Sequence, residues 1–286
     1  MTLPGEIKRW TNQWLERFNV RIESQTAERA EIARLLNLEK VGQFGRPIFP
    51  ILSQFADCNP TPVLEAVGKF KDNTGVFSIR DRSSGYSYVN DYFKSPDAEV
   101  AYALVRTFKP KRLIEVGSGN STQLFREAIE DGKLSTELVS IDPSPRKAIE
   151  VIAHRIINQR LEELPVSYFC EALECNDILF IDSSHQVRIG NDVVKLLLNI
   201  IPILKKGVLI HFHDIFLPYE YPRQWMIDNR WDWNEQYFVQ ALLQGSDQFE
   251  VLLPGQFLQR TLPDFNTYFD FKPQGTASSL WLRKIV

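Results

Sequence analysis

From residue 95 onward, short apolar runs alternate with stretches whose apolar residues recur every three or four positions, the rhythm of strands and amphipathic helices in turn. Four runs stand out as strands: Arg112 to Val116, Glu137 to Ile141, Asp177 to Ile181 and Val208 to Phe212. A further strand is expected at Ile152 to Ile157, and a closing pair at Phe249 to Leu253 and Ser279 to Arg283. Between them, helices are predicted from Ser95-Pro96 through Phe108, and from about Ser121 to Ile129 before the turn at Asp131-Gly132. Val166, Phe169, Cys170 and Leu173 after Pro165 predict another. A helix from Asn191 to Leu204 closes with Lys205-Lys206 against its negative end and with Gly207, and one more lies near Trp233 to Leu243. Strands buried on both faces and separated by helices imply an α/β fold with a largely parallel sheet.

Before residue 95 the rhythm is different. Glu6 to Phe18 and Thr26 to Leu38 carry apolar positions at helical spacing, and Thr61-Pro62 starts a helix to Phe70. Gly75 to Ile79 and Tyr86 to Tyr92 flank the turn signal Ser83-Ser84-Gly85 and read as a hairpin. The organisation expected is therefore an accessory, substrate-covering region over residues 1–94 and an α/β domain over 95–286.

Composition narrows the class. A chain of 286 residues that is 44% hydrophobic and 24% charged can bury a full core. No apolar run approaches the roughly 20 residues that cross a bilayer, and the start of the chain lacks a secretion signal, so a cytoplasmic location is expected. Cys58, Cys170 and Cys175 have no metal-binding spacing and read as reduced thiols. A net charge of −3 gives no general pull toward nucleic acid or membrane, which leaves a small molecule as the expected partner and homo-oligomerisation open. Aromatic residues concentrate between Phe216 and Tyr237. There Tyr219, Tyr221 and Trp225 follow the fifth strand and are candidates for an acceptor pocket; an aromatic plug is the alternative.

In an open parallel sheet, ligands gather at the carboxyl ends of the strands, and in this chain those ends are polar. The first strand runs into Gly117-Ser118-Gly119-Asn120-Ser121, a glycine turn opening a helix, which cradles nucleotide-like ligands. A dinucleotide would ask for a third glycine where this chain has Thr122. Glu115 is an acidic residue inside an otherwise apolar strand. Asp142 ends the second strand, where a carboxylate can accept both hydroxyls of a ribose, although Asp142-Pro143-Ser144-Pro145 is also a good turn. The fourth strand ends in Asp182-Ser183-Ser184-His185 and the fifth in His211-Phe212-His213-Asp214.

The series LIEVGSGNS, a strand ending in IDP, DILFIDSSH and GVLIHFHD resembles the class I S-adenosylmethionine-dependent methyltransferases. DILFIDSSH with HFHDIFLPYEYP and WNEQYFVQALL is similar to a bacterial group that includes metal-dependent sugar O-methyltransferases and cephalosporin hydroxylase-like proteins. The resemblance spans about residues 85–286. It implies a doubly wound seven-stranded sheet whose last strand is antiparallel, a Rossmann-like fold that suits the closing pair FEVLLPG and SLWLRKI. It also implies that Glu115, Gly117, Ser118, Gly119, Asn120 and Ser121 surround the methionine part of S-adenosylmethionine. Asp142 would then take the ribose, Glu162 would lie near the adenine, and Asp182 would face the sulfonium.

Two catalytic uses of the fourth and fifth strand tips follow. His185 or His213 could take a proton from an acceptor hydroxyl, since imidazole titrates near neutrality. Alternatively Asp182, His213 and Asp214 could bind a divalent metal (Mg²⁺, Mn²⁺ or Fe²⁺), as an aspartate and an acidic pair do in the related sugar enzymes; imidazole in place of a carboxylate argues against Mg²⁺. His211, one step deeper, reads as a hydrogen-bonded core residue. The expected activity is methylation of a hydroxyl on a small polar metabolite such as a sugar or natural product. A nicotinamide-dependent oxidoreductase would use the same turn and Asp142, and a non-catalytic binding protein could retain the same fold.

Overall fold

The structure is a computed structural model, and it describes residues 5–81, 85–145, 149–272 and 275–286. The chain forms two compact units, one from Met1–Arg46 with Tyr221–Trp231, the other from Pro47–Glu220 with Asp232–Val286. Residues 47–94, grouped with the accessory region by sequence, therefore fold in the unit that holds the sheet. The smaller unit contains α1 (Gly5–Leu15) and α2 (Thr26–Lys40). Within it, Asn12 closes the turn between the helices by hydrogen bonds with both backbone groups of Ile22, and Arg223 pairs with Glu39 and Asp228 at 2.7 and 2.6 Å.

The larger unit begins with three short helices, α3 (Ser53–Ala56), α4 (Thr61–Lys69) and α5 (Lys71–Gly75), followed by α6 (Asp97–Phe108). Strands and helices then alternate: β1 (Arg112–Val116), α7 (Asn120–Gly132), β2 (Glu137–Ile141), β3 (Arg155–Ile157), α8 (Val166–Ala172), β4 (Ile178–Ile181), α9 (Asp192–Lys195) and β5 (Leu209–Phe212). The chain ends with α10 (Glu235–Gln244), β6 (Phe249–Pro254), α11 (Gly255–Thr261) and β7 (Leu280–Lys284). The seven strands lie in the order β3-β2-β1-β4-β5-β7-β6, with β7 antiparallel to both neighbours. This is the expected doubly wound sheet. Its order reverses between β1 and β4, the point at which such sheets open a ligand crevice.

Alternation along each strand builds a core on each face. Leu113, Leu138, Ile178, Phe180 and Trp281 face the layer of α4, α6 and α7. Ile114, Val139, Leu179, Ile181, Ile210 and Leu282 face the layer of α8 to α10. Glu115 points the same way as Leu113, so its carboxylate is sealed beneath α7 and fully buried.

The differences from expectation are local. The third strand is shorter than the predicted Ile152 to Ile157, and the helix expected from Asn191 widens at Leu196–Ile200 and tightens at Ile201–Ile203, where Pro202 offers no N–H to carry it on. The predicted hairpin is absent among the described residues, and its Ser83-Ser84 turn lies outside them. Its first arm is helical instead (Lys71–Gly75, then Val76–Ser78). Aromatic packing, not a strand ladder, holds the segment: Phe77 meets Tyr86 and Tyr88 edge to face at 5.1 and 5.7 Å, and the Tyr86 hydroxyl donates to the Phe93 carbonyl at 2.7 Å.

Candidate active site at the carboxyl ends of the strands

The turn after β1 is tied in from three sides. Gly117 sits at φ +83°, and a Cβ there would lie 1.9 Å from the Asp182 carbonyl oxygen. Only glycine fits, and its absence of side chain brings the turn directly against the end of β4. The Ser118 N–H and hydroxyl both donate to Asp142 Oδ2, at 3.0 and 2.7 Å, while Oδ1 accepts the Ser144 N–H at 2.8 Å. Gly119 N–H bonds Thr122 Oγ1 at 3.0 Å as α7 begins. Asn120 donates to Asn90 at 3.3 Å.

Glu115 anchors this turn from below. It accepts hydrogen bonds from the hydroxyls of Ser121 (2.5 Å), Thr122 (2.6 Å) and Ser140 (2.9 Å). Burial pushes its carboxyl up to about 7 against the pull of those three hydroxyls. Ser121 is thereby aimed at Glu115, so these two hold the helix start while Gly117, Ser118 and Asp142 form the surface of the turn.

The tips of β4 and β5 carry a denser cluster. His185 Nδ1 lies 3.0 Å from Glu235 and Nε2 3.1 Å from Asp182, with Asp214 at 3.7 Å and the Trp233 ring at 4.3 Å. His213 Nδ1 stands 3.3 Å from Asp214 and 3.5 Å from Asp182; its Nε2 is 3.9 Å from Asp97. Both His185 and Asp214 adopt φ +56°, a left-handed backbone that costs about 1 kcal/mol or more outside glycine and clusters at functional sites. At Asp214 this twist swings the carboxylate off the Phe212 face of the strand and back over His213.

The charges respond to one another. Burial alone would lower the His185 imidazole, but its bonds to Asp182 and Glu235 and the charge of Asp214 push it up to about 10. His213 likewise overcomes its burial through Asp214 and Asp182 and is raised well above the usual histidine value. Burial would raise Asp182, yet the charge on His213 and the hydrogen bond from His185 hold it well below the usual carboxylate range. Asp97 and Glu235, sealed more completely, are both raised by burial. His211 behaves as expected of a core residue: it stacks on Phe180 at 3.9 Å, bonds Ser279 at 2.8 Å, and is driven well below its usual value by burial and the neighbouring His213.

Ligand atoms of Asp182, His185 and Asp214 all lie within 4.8 Å of one another, a spacing that can hold a metal ion. The histidine of that trio is His185; His213, expected there by sequence, flanks it. With 30% of its side chain exposed, Asp182 is the member a ligand can reach.

Glu162 follows β3 and faces Arg160 at 3.6 Å. Tyr219 belongs to the unit of the sheet and packs beneath the Arg260 guanidinium, 5.4 Å from its ring centre. Tyr221 and Trp225 belong to the smaller unit, where Trp225 packs on Trp231 at 5.1 Å. Two members of the cluster were not foreseen. Glu235 lies in the first turn of α10 and anchors His185. Asp97, in the first turn of α6, accepts the N–H groups of Ser278 and Ser279 and reaches toward His213. Its only sequence signal is an acid at the start of an apolar helix.

Residues 114–215 match a family model described as a methyltransferase domain. Over that stretch the chain is similar to methyltransferases, and its strand order is the one the sequence resemblance implied. The matched stretch runs from β1 through the tip of β5 and so contains the turn, Asp142, Asp182, His185, His213 and Asp214. No curated protein matches the chain by sequence. Among solved structures it is similar to the SAH-bound methyltransferase PaMTH1 of Podospora anserina, at 18% identity and a TM-score of 0.41 over 84% of this chain and 99% of that one. It is also similar to an O-methyltransferase of Bacillus cereus in complex with SAH, at 12% identity and a TM-score of 0.39 over 98% and 99% of the two chains. No helix of the described residues is long and apolar enough to cross a membrane.

Proposed function

We propose that this protein is a methyltransferase that moves a methyl group from S-adenosylmethionine to a hydroxyl of a small polar metabolite, a sugar or natural product. The observation that carries the reading is the contact of Gly117 with the Asp182 carbonyl, which sets the cofactor turn directly beside the cluster at the tips of β4 and β5. The turn suits the cofactor: its backbone is bare at Gly117, and Asp142 stands at the end of β2 where a ribose would meet it. In this reading Gly117 to Ser121 and Asp142 hold the cofactor, with Glu115 fixing the turn, Glu162 toward the adenine and Asp182 beside the sulfonium. Tyr219, in the unit of the sheet, is assigned to the acceptor.

Methyl transfer to oxygen needs the acceptor aligned in line with the sulfonium and its hydroxyl stripped of a proton. His185 and His213 are held protonated by the carboxylates around them, which suits them poorly as bases at neutral pH. Four carboxylates (Asp97, Asp182, Asp214 and Glu235) surround two imidazoles, a balance that favours a cation. Asp182, His185 and Asp214 form an oxygen-and-nitrogen donor set that fits Mn²⁺ or Fe²⁺ better than Mg²⁺. Such an ion, when bound, lowers the pKa of a hydroxyl that reaches it. His213 would then orient Asp182 and Asp214.

Calorimetric titration separates this from the oxidoreductase reading: S-adenosylhomocysteine should bind and NAD should not, and binding of NAD alone would overturn it. Screening polyhydroxylated acceptors with labelled S-adenosylmethionine then tests the chemistry. Turnover should vanish on chelation and return with Mn²⁺ or Fe²⁺. Turnover indifferent to chelation would assign the proton to His213 or His185 instead.

A further inference from the structure

Away from the strand tips, a second constellation lies on another face of α6. Glu99 is 3% exposed, and neither of its carboxylate oxygens meets a donor in good hydrogen-bond geometry among the described residues, although the hydroxyls of Ser95 and Tyr88 stand near it. It lines a cavity of about 70 Å³ together with Thr74, Tyr88, Tyr268 and Phe271. The rings of Tyr88 and Phe271 pack against each other at 4.7 Å. Lys71 and Asp270 also line the cavity and pair with each other at 2.6 Å, so their charges cancel. Asp97, on the same helix, adds further negative potential at Glu99.

A buried carboxylate without well-formed hydrogen bonds is costly, and the usual remedies are a proton, a water or a cation. Here the lining carries one net negative charge when Glu99 is ionised, and aromatic rings surround it. Ring faces attract ammonium ions through their quadrupoles, and a carboxylate amid rings is the arrangement that selects them over hydrated metal ions. The volume admits a few waters or one methylammonium-sized group.

We propose that this cavity is a binding site for a small ammonium group, held by the Glu99 carboxylate and the faces of Tyr88 and Phe271. The site is separate from the methyl-transfer cluster, and nothing in the reaction requires it.

Thermal unfolding of the full chain at pH 8 tests this, with methylammonium chloride as the probe and sodium chloride at equal ionic strength, potassium chloride and ethanol as controls. Methylammonium should raise Tm saturably by about 2–4 °C over sodium chloride, and ethanol, neutral and of similar size, should not. Glu99→Gln should abolish the rise. An equal rise in Glu99→Gln, no rise over sodium chloride, or a larger rise with potassium would overturn the proposal. Should Glu99→Gln fail to fold, saturation-transfer NMR on the unmodified protein decides: the methylammonium methyl protons should receive saturation from the protein, and their failure to do so would equally overturn it.

Discussion

The two halves of the strand-end crevice are built from opposite materials. Around β1 and β2 the work is done by backbone and hydroxyls: Gly117, Ser118 and Asp142 form a turn whose single surface carboxylate is satisfied by neutral donors. Around β4 and β5 the crevice is made of charge, with Asp97, Asp182, Asp214 and Glu235 packed about His185 and His213. A neutral, preorganised turn can receive a ligand at small electrostatic cost. A buried charge cluster is sensitive to every proton or ion it holds, because each partner removed leaves another charge uncompensated. In the proposed function this difference becomes a division of labour, with recognition assigned to β1 and β2 and chemistry to β4 and β5, and Gly117 as the point of contact.

The strongest way to break that division is Asp182→Asn. It removes a carboxylate that both histidines share while leaving the turn untouched, so turnover should fall about 10²–10⁴-fold with S-adenosylhomocysteine affinity within about threefold of the parent. Steady-state kinetics beside calorimetry reads both. Comparable losses in both quantities would mean that the halves are not separable. Next in size is Gly117→Ala, the reverse experiment. The added methyl meets the Asp182 carbonyl at 1.9 Å and the residue must also hold φ +83°, so the turn has to move. Affinity for S-adenosylhomocysteine should drop about 100-fold, which is about 2.7 kcal/mol. Unchanged binding by a folded variant would remove the turn from the cofactor site.

The same contrast explains what could be read from the chain. β1 and β2 were visible to the residue because each is a sharp apolar run bounded by polar turns, and the glycine turn follows from local conformational need. The polar residues after β4 and β5 were visible as a set, since a parallel sheet brings its strand ends together. Their pairing was not. Asp97 and Glu235 join the cluster from helices distant in sequence, and the left-handed backbone of His185 and Asp214 that aims them has no signature in residue type beyond a mild tolerance in His and Asp. The hairpin expected before residue 95 failed for a related reason: Phe77, Tyr86 and Tyr88 have strand-like preferences, but they satisfy one another as a buried aromatic group.

The smallest expected effect sharpens the comparison at its base, where Glu115 supports the neutral half by a group that can itself ionise. Its carboxyl is raised to about 7 from an ordinary 4.5 by burial, with Ser121, Thr122 and Ser140 opposing the shift. A raised carboxyl holds its proton in the folded state after the unfolded chain has lost it. The stability it contributes is therefore fully present below about pH 4.5 and is lost as pH rises through about 7, a change of roughly 3 kcal/mol at most for a shift of this size. Glu99, also raised to about 7 by burial, adds a slope of the same sign. Glu115→Gln should accordingly remove part of the decline in the urea midpoint between pH 4.5 and 7.5, because the amide cannot titrate and the three hydroxyls can turn to meet its oxygen and its N–H groups. A variant with the full parental slope would show that Glu115 is ionised throughout, and the β1 half of the crevice would then be charged after all.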